Sequence, residues 1–254
     1  MEKSNRIPKT IHYCWFGGKE KPDLVKRCIE SWRKHLPDYQ LTEWNEINFN
    51  IEKNYYVKEA YQSGKYAFVS DFARVYALYH YGGIYLDTDV EVYKPFDDLL
   101  HHPSFWGFEQ GNYIATSTIG AEKGNPLIKQ FLDSYNGKTF INEDGSHNQL
   151  TNVALITQLL KWFGLKTNGN YQEIEGMGVF YPQTFFSPYD YINCQSLETD
   201  QTYTVHHFYK SWLPFKTRLK GKVKFVLSRL IGGHNIARIR NYRSGKIFKG
   251  NAHG

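Results

Sequence analysis

Apolar residues along this chain follow two different spacings, and their order predicts alternating strands and helices. Short runs rich in β-branched and aromatic residues predict strands over residues 9–15, 39–44, 84–86, 90–93, 104–108, 113–119 and 203–208. Apolar residues three or four positions apart predict helices over residues 23–36, 57–61, 69–81, 126–135 and 150–163. This alternation indicates an α/β sheet of parallel strands, which binds ligands at the carboxyl ends of its strands.

The helix predicted over residues 69–81 carries two charged residues on one face. Ser70 is expected to cap its N-terminus, which places Asp71 favourably in the first turn. Asp71 and Arg74 are three residues apart and therefore share a face. An exposed pair of this kind contributes only about 0.3–0.5 kcal/mol. The pair directly precedes a glycine turn and two aspartates, however, and this context favours a functional role.

The next segment places two carboxylates at the end of a short strand. Gly82-Gly83 predicts a turn, an apolar strand follows, and Asp87 and Asp89 come after it with one residue between them. Both can reach one Mg²⁺ or Mn²⁺ ion, and these ions often share oxygen ligands with substrate phosphates. A solvated turn is one alternative. A calcium loop is another, although Val92 stands where such a loop needs glycine. The segment predicts an enzyme that binds a metal-diphosphate donor.

The composition is that of a folded globular protein. The chain has 254 residues, of which 41% are hydrophobic and 22% charged, so it is neither disordered nor a bundle of membrane spans. The three cysteines, Cys14, Cys28 and Cys194, have neither metal-site nor disulfide-framework spacing, which indicates a reducing compartment. The polar N-terminus shows no secretory signal. These features predict a cytoplasmic protein.

Positive charge is concentrated at the C-terminus. The net charge is +6, and residues 215–254 contain no Asp or Glu. Apolar residues at helical spacing between Leu219 and Ile231 are backed by Arg218, Lys222 and Arg229. Such a helix either lies on an anionic membrane surface or docks on the domain and leaves a solvated basic tail. Nucleic acid is not an expected partner, because no nucleic-acid-binding module accompanies the charge.

Three motifs occur in order along the chain. They are IPKTIHYCW at residues 7–15, SDFAR at 70–74 with GGIYLDTD at 82–89, and HHFYKSW at 206–212. Together they closely resemble glycosyltransferase family 32, whose members carry a sugar-binding region containing the DXD motif. The family includes bacterial capsular-polysaccharide transferases and yeast α-1,6-mannosyltransferases, and the transferase domains of clostridial toxins are more distant relatives. The resemblance covers residues 7–213.

The resemblance implies a fold and a reaction. The fold is a GT-A type α/β fold: a single nucleotide-binding domain over residues 1–214, with a mixed central sheet flanked by helices. The basic amphipathic helix and tail over residues 215–254 lie outside it. The implied reaction is a retaining transfer of a sugar from a nucleotide-sugar to a hydroxyl acceptor.

The resemblance also implies roles for residues around the donor. Trp15 would stack beside the nucleobase, with a core tryptophan as the alternative. Asp71 and Arg74, preceded by Ser70, would hold donor-sugar and ribose hydroxyls, and Tyr85 would line the donor pocket.

The DXD turn and the late motif would complete the site. Asp89 would ligate Mn²⁺ or Mg²⁺ directly, and Asp87 would contact the ribose or the metal through water. One of His206 and His207 would complete the metal shell; strand alternation puts them on opposite faces, and His206 is preferred. The late motif also implies donor contacts, and these are assigned to Ser211 and Trp212, the latter on the diphosphate.

Acceptor contacts are only weakly encoded. Glu109, Thr151 and Asn152 are polar residues near predicted element ends, where binding residues often lie but ordinary loop residues are commoner. Bacterial relatives often carry an asparagine near residues 115–117, and the nearest one here is Asn112. This departure leaves the preferred donor sugar open.

The sequence therefore predicts a cytoplasmic, metal-dependent, retaining glycosyltransferase, peripheral on the inner face of the plasma membrane. It would move a hexose or N-acetylhexosamine, UDP-linked by resemblance to capsular enzymes, to a lipid-linked surface polysaccharide of the capsule or exopolysaccharide type. Two other classes stay open: a carbohydrate-binding protein with a decayed site, and a nucleotide-sugar hydrolase. Donor turnover and its response to acceptors discriminate between these classes.

Overall fold

The computed structural model describes residues 5–148 and 151–209. The predicted C-terminal helix, the domain boundary at residue 214, Ser211 and Trp212 all lie outside the described residues. None of the helices within the described ranges is both long enough and apolar enough to span a membrane.

The described residues form twelve strands and six α-helices, besides three short 3-10 helices. The strands are β1 (Thr10–Cys14), β2 (Gln40–Trp44), β3 (Gly83–Leu86), β4 (Val90–Val92), β5 (Ser104–Glu109), β6 (Tyr113–Ile114), β7 (Thr118–Ala121), β8 (Gln172–Ile174), β9 (Gly178–Tyr181), β10 (Tyr189–Asp190), β11 (Gln195–Ser196) and β12 (Thr204–His206). The helices are α1 (Asp23–His35), α2 (Tyr55–Gln62), α3 (Tyr66–Tyr81), α4 (Pro126–Asp133), α5 (Asn152–Trp162) and α6 (Gln183–Phe186).

A mixed sheet runs through the centre of the molecule in the order β2-β1-β3-β7-β5-β9-β8, with β6 paired to β5. The β1–β2, β1–β3 and β5–β9 pairs are parallel, whereas β7 runs antiparallel to both β3 and β5. Two small antiparallel sheets, β4–β12 and β10–β11, lie outside this path. The sheet is thus mixed, as the family resemblance implied, rather than parallel throughout, as the strand–helix alternation indicated.

Apolar side chains pack on both faces of the sheet. One core cluster joins α2, α3, α4 and α5 to one face, and a second joins α1, β4 and α6 to the other. Helix α1 shows why: its buried residues Val25, Cys28, Ile29 and Trp32 recur at helical spacing. The Trp32 indole also donates to the Val90 carbonyl at 2.7 Å, which ties α1 to the segment after the DXD turn.

The turn between α3 and β3 requires glycine. Gly82 and Gly83 have φ angles of 68° and 107°, which side-chain-bearing residues rarely adopt. A Cβ atom on Gly83 would lie 2.6 Å from the Thr10 carbonyl oxygen. The two glycines therefore let the chain leave α3 and enter the sheet directly beside β1.

The predicted fold class is confirmed, with corrections to individual elements. Ser70 does not cap a helix: α3 begins at Tyr66, four residues earlier, and the Ser70 hydroxyl donates to the Tyr66 carbonyl within it. Asp71 accordingly lies in the second turn. The single strand predicted over 113–119 is two strands, because residues 115–117 bend between β6 and β7.

Candidate active site

The DXD turn connects the central sheet to the small β4–β12 sheet. Asp87 follows β3, and its backbone N–H donates to the Ser117 carbonyl at 2.8 Å. The Asp87 carbonyl accepts from the Val90 N–H at 3.0 Å, which closes a tight turn. Asp89 immediately precedes β4. Both carboxylates therefore project from a short turn fixed at each end by a sheet.

The pairing of β4 with β12 brings His206 to this turn. His206 lies opposite Val90 in the antiparallel register. Its Nε2 lies 3.3 Å from Asp89 Oδ1. Ligand atoms of Asp87, Asp89 and His206 all lie within 4.8 Å of one another. Two remote motifs of the sequence thus form one cluster.

The cluster fits a divalent cation. Two carboxylates and one imidazole suit Mn²⁺ or Mg²⁺, which take oxygen ligands and leave positions for phosphate. His206 Nδ1 is buried and has no hydrogen-bond partner in the structure, so this side chain is not satisfied by the protein alone. Asp87, Asp89 and His206 are therefore the residues that would hold the metal.

Burial and pairing set the charge of this cluster. Burial lowers the pKa of His206, but the adjacent Asp89, with Asp87 and Glu109, outweighs it and raises the pKa. Burial correspondingly opposes ionisation of Asp89, yet His206 and the Tyr209 N–H, which donates to Asp89 Oδ2 at 2.7 Å, lower its pKa to about 2. Asp89 is therefore ionised at neutral pH.

Arg74 contacts the cluster from α3 through the Asp87 carboxylate. Its Nη2 lies 2.9 Å from Asp71 Oδ1 and 3.1 Å from Asp87 Oδ1. Its Nη1 donates to the Thr116 carbonyl at 2.6 Å and to the Thr116 hydroxyl at 3.1 Å. The sequence left open whether this pair is an exposed surface contact. It is not, because the Arg74 side chain is only 6% exposed and that of Asp71 18%. Arg74 therefore links α3 to the DXD turn.

Tyr85 lies beneath this arginine. Its hydroxyl donates to Asp87 Oδ1 at 2.9 Å, and its ring centroid lies 4.6 Å from the Arg74 guanidinium carbon. The neighbouring Asp71 also contacts Arg74. Burial and the negative charge of Asp87 raise the pKa of Asp71 to about 6, because together they exceed the lowering effect of Arg74. Tyr85 and Arg74 both contact Asp87 Oδ1. Together they fix the orientation of the first DXD carboxylate.

The predicted acceptor residues occupy three different settings. Thr151 caps α5 by accepting from the Ala154 N–H. Asn152 is buried, donates to the Asp71 carbonyl at 2.8 Å and accepts from the Tyr135 hydroxyl, so it braces α3 behind the site. Glu109 lies at the end of β5, close enough to raise the pKa of His206.

Two further predicted residues lie at the ends of sheet strands. Trp15 directly follows β1; its indole donates to the Lys19 carbonyl at 2.6 Å, and the Lys21 amine lies 5.6 Å from its ring centroid. His207 turns away from the cluster, with Nε2 2.9 Å from Glu91 Oε2. The predicted binding roles of these side chains remain predictions.

Sequence reasoning missed the bend between β6 and β7. Thr116 accepts twice from Arg74, and the buried Ser117 hydroxyl has no hydrogen-bond partner in the structure. The signal was present, because residues 115–117 were already noted as the place where this chain departs from its bacterial relatives. A backbone N–H such as that of Tyr209, which bonds Asp89, leaves no signal in residue type.

Comparison with known proteins finds similarity to glycosyltransferases. Residues 22–106 match the glycosyltransferase sugar-binding region containing the DXD motif. Inositol phosphoceramide mannosyltransferase 3 of Schizosaccharomyces pombe is 33% identical over 137 residues, 51% of this chain and 37% of that protein. The chain thus spans little more than a third of that relative's length.

Two further similarities cover more of the chain. An uncharacterized glycosyltransferase, L373, of Acanthamoeba polyphaga mimivirus is 26% identical over 218 residues, 82% of this chain and 84% of that one. Among solved structures, the PaToxG glycosyltransferase is 22% identical with a TM-score of 0.48, over 61% of this chain and 69% of that chain. Residues 22–106, which include the DXD turn, are thus similar to the sugar-binding region of glycosyltransferases that carry the DXD motif.

Proposed function

We propose that this protein is a divalent-metal-dependent, retaining glycosyltransferase that uses a nucleotide-sugar donor. The observation that carries the proposal is the convergence of Asp87, Asp89 and His206 within 4.8 Å, directly beside the buried Arg74. An isolated Asp-x-Asp turn is common. Here the turn contacts a histidine from a distant strand and a buried arginine, so its carboxylates are already positioned to bind a ligand.

Donor binding follows from the charges of the site. Arg74 is planar and always protonated, so it keeps a cation beside Asp87 at every working pH. Mn²⁺ or Mg²⁺, when bound by the cluster, supplies positive charge to the departing diphosphate. Asp71 remains paired to Arg74 at its inner oxygen and is positioned to accept hydrogen bonds from donor hydroxyls. Trp15 is proposed to stack on the base, and Ser211 and Trp212 are proposed to contact the donor.

For the chemical step we propose front-face attack with retention. The acceptor hydroxyl forms a bond to the anomeric carbon as the bond from that carbon to the diphosphate oxygen breaks, and the hydroxyl proton passes to the departing phosphate. Asp71 is a poor candidate for a covalent nucleophile because its carboxylate pairs with Arg74 at 2.9 Å. Stabilisation of the leaving group is then the main catalytic demand.

We further propose a UDP-linked hexose or N-acetylhexosamine as donor and a lipid-linked saccharide as acceptor. The fission-yeast relative is named as a mannosyltransferase acting on a lipid, inositol phosphoceramide. That name supports a lipid-linked acceptor and adds mannose to the sugars to be tested. Location on the inner face of the plasma membrane, with contact through the basic tail, is part of the same proposal.

The test is a thermal-shift screen of nucleotide-sugars with manganese and with chelator, followed by a transfer assay. Specific binding at a hundredfold excess over the dissociation constant raises the unfolding free energy by about 2.7 kcal/mol. We expect a shift with one nucleotide-sugar that disappears on chelation. Binding without turnover would identify a carbohydrate-binding protein instead. Release of the sugar to water at full rate, unaffected by any acceptor, would identify a hydrolase.

A further inference from the structure

We infer that the turn between β5 and β6 and the hairpin β10–β11 form the acceptor subsite, in which a pyranose ring stacks on Tyr191. The inference rests on the proposed function for the identity of the second substrate. It adds to that function the location at which the sugar of this substrate binds and the side chains that contact it.

Ring contacts through Phe208 connect the hairpin to the metal cluster. The ring of Phe208 lies 4.0 Å from His206, 5.0 Å from Tyr191 and 6.5 Å from Tyr189, measured between ring centroids. Burial raises the pKa of Tyr191, and Glu109 at the end of β5 contributes to the raised pKa of both Tyr191 and His206. A group bound on Tyr191 therefore lies next to the reacting centre.

The side chains at this place have the chemistry of a sugar site. An aromatic ring packs against the apolar C–H face of a pyranose, while a few directed polar groups bond its hydroxyls. Tyr191 supplies the ring, Tyr113 adds a second tyrosine that is 48% exposed, and Glu109 supplies a carboxylate. Membrane lipid tails would not need the carboxylate.

Buried polar atoms without partners point in the same direction. Gln110 Oε1 and Asn193 Oδ1 are buried and have no hydrogen-bond partner in the structure. Gln110 adjoins Glu109, and Asn193 lies in the turn of the hairpin, where its Nδ2 is already bonded to Asp190. Buried acceptors of this kind are rare in folded proteins because each costs about 1–3 kcal/mol. Donors on a sugar, its hydroxyl groups, would satisfy them.

Unusual backbone conformations occur in the β5–β6 turn, in the β10–β11 hairpin and directly after β12. Among the described residues, the non-glycine residues with positive φ are Asn112, Cys194 and Phe208, at 62°, 55° and 49°. One lies in the β5–β6 turn, one in the β10–β11 hairpin and one after β12. Such conformations cost of order 1–3 kcal/mol and cluster at ligand sites. For a bulky residue such as Phe208 the conformation is especially unfavourable.

The test measures sugar and nucleotide binding separately on the full chain. Saturation-transfer NMR with Mg²⁺ and UDP would use the methyl glycosides of glucose, galactose, mannose, N-acetylglucosamine and N-acetylgalactosamine. We expect Tyr191→Leu to weaken binding of the glycoside that binds wild type by about tenfold, 1.4 kcal/mol. Tyr191→Phe keeps the ring and should retain binding. Calorimetry should find UDP affinity within about twofold of wild type in both variants.

Two other variants complete the design. Tyr55→Leu, at an exposed position on α2, is the matched control and should change neither affinity. Tyr113→Ser replaces Tyr191→Leu if that protein does not fold, and should also weaken the glycoside. Equal glycoside binding by Tyr191→Leu and wild type would overturn the inference. So would binding of no glycoside by wild type, or a parallel loss of UDP affinity.

The outcomes separate this inference from the proposed function. Glycoside binding that depends on Tyr191 in a protein without donor turnover would refute the transferase but retain the sugar subsite. Transfer that proceeds equally well in Tyr191→Leu would retain the transferase and refute the subsite.

Discussion

Two histidines, the buried His12 inside the sheet and the partly buried His206 at the DXD turn, differ in how completely the protein satisfies their hydrogen bonds. His12 Nε2 lies 2.8 Å from the Gly82 carbonyl, and its Nδ1 accepts from the Trp44 indole at 3.2 Å. Both nitrogens are bonded in a single tautomer, with Nε2 protonated. His206 instead has Nε2 beside Asp89 and leaves Nδ1 without a partner.

The pKa values of His12 and His206 are also shifted in opposite directions. Burial lowers the pKa of His12 and outweighs the opposing effect of its bond to the Gly82 carbonyl. At His206, Asp89 overcomes burial and raises the pKa. A structural histidine here is neutral and completely bonded, whereas the candidate ligand is paired with an acid and incompletely bonded. Residue type alone does not make this distinction.

The largest expected effect comes from Asp89→Asn. The amide is a weaker metal ligand and cannot pair with His206 as a charge, so we expect donor turnover to fall about 10²–10³-fold, as for loss of a major electrostatic group. Release of nucleoside diphosphate under saturating manganese measures this. Glu91→Gln is the matched control two residues away and should keep most activity. Similar losses in both variants would contradict a specific role for Asp89.

His206→Gln should have the next largest effect. Loss of a group that only supports a metal ligand typically lowers metal affinity about 10–100-fold, so loss of a direct ligand should lower it at least as much. We expect the manganese concentration for half-maximal activity to rise by that factor, with little change in thermal stability. An unchanged manganese requirement would mean that His206, despite its position, is not a ligand.

His12 and His206 should make the free energy of unfolding depend on pH in opposite directions. For His12, the unfolded chain binds a proton near pH 6.5 and the folded protein does not, so stability is complete above pH 6.5 and falls below it by up to about 1.4 kcal/mol per pH unit. For His206, the contribution is complete below pH 6.5 and is lost as pH rises through its higher folded pKa.

Denaturant unfolding between pH 5.5 and 8 measures both contributions. His12→Gln should flatten the decrease below pH 6.5, and His206→Gln should flatten the decrease above it. If His12→Gln leaves the acid side of the profile unchanged, His12 is not held neutral.

The smallest expected effect is that of His207→Gln. His207 and Glu91 form a partly exposed pair, which contributes about 0–1 kcal/mol. Activity and manganese requirement should both stay close to those of wild type. A loss equal to that of His206→Gln would refute the argument that strand alternation selects one histidine.

The sequence predicted the order of most early elements and the residues of the DXD turn, because these are local signals. Gly82-Gly83, the apolar β3 and the two aspartates are adjacent in the chain. Strands β8 and β9 and the hairpin β10–β11 were missed, since each is only two to four residues long and gains its stability from partners elsewhere. Short segments carry too few residues for periodicity to register.

At the site, helical spacing predicted that Asp71 and Arg74 share a face but not that they are buried. Their burial depends on Thr116, which comes from a bend that periodicity read as continuous strand. Likewise, alternation predicted that His206 and His207 diverge. Only the β4–β12 register shows that His206 is the one beside Asp89.

The short β4–β12 sheet also affects the order in which parts of the protein unfold. β12 pairs with β4 over three residues, with one further backbone bond at each end, whereas the central sheet is built from eight strands. Local opening of such a peripheral pair requires less free energy than global unfolding. Mild heating should therefore detach His206 from Asp89 while the rest of the fold persists. Hydrogen exchange would show early loss of protection at β12, and the proposed transferase activity would be lost well below the melting temperature.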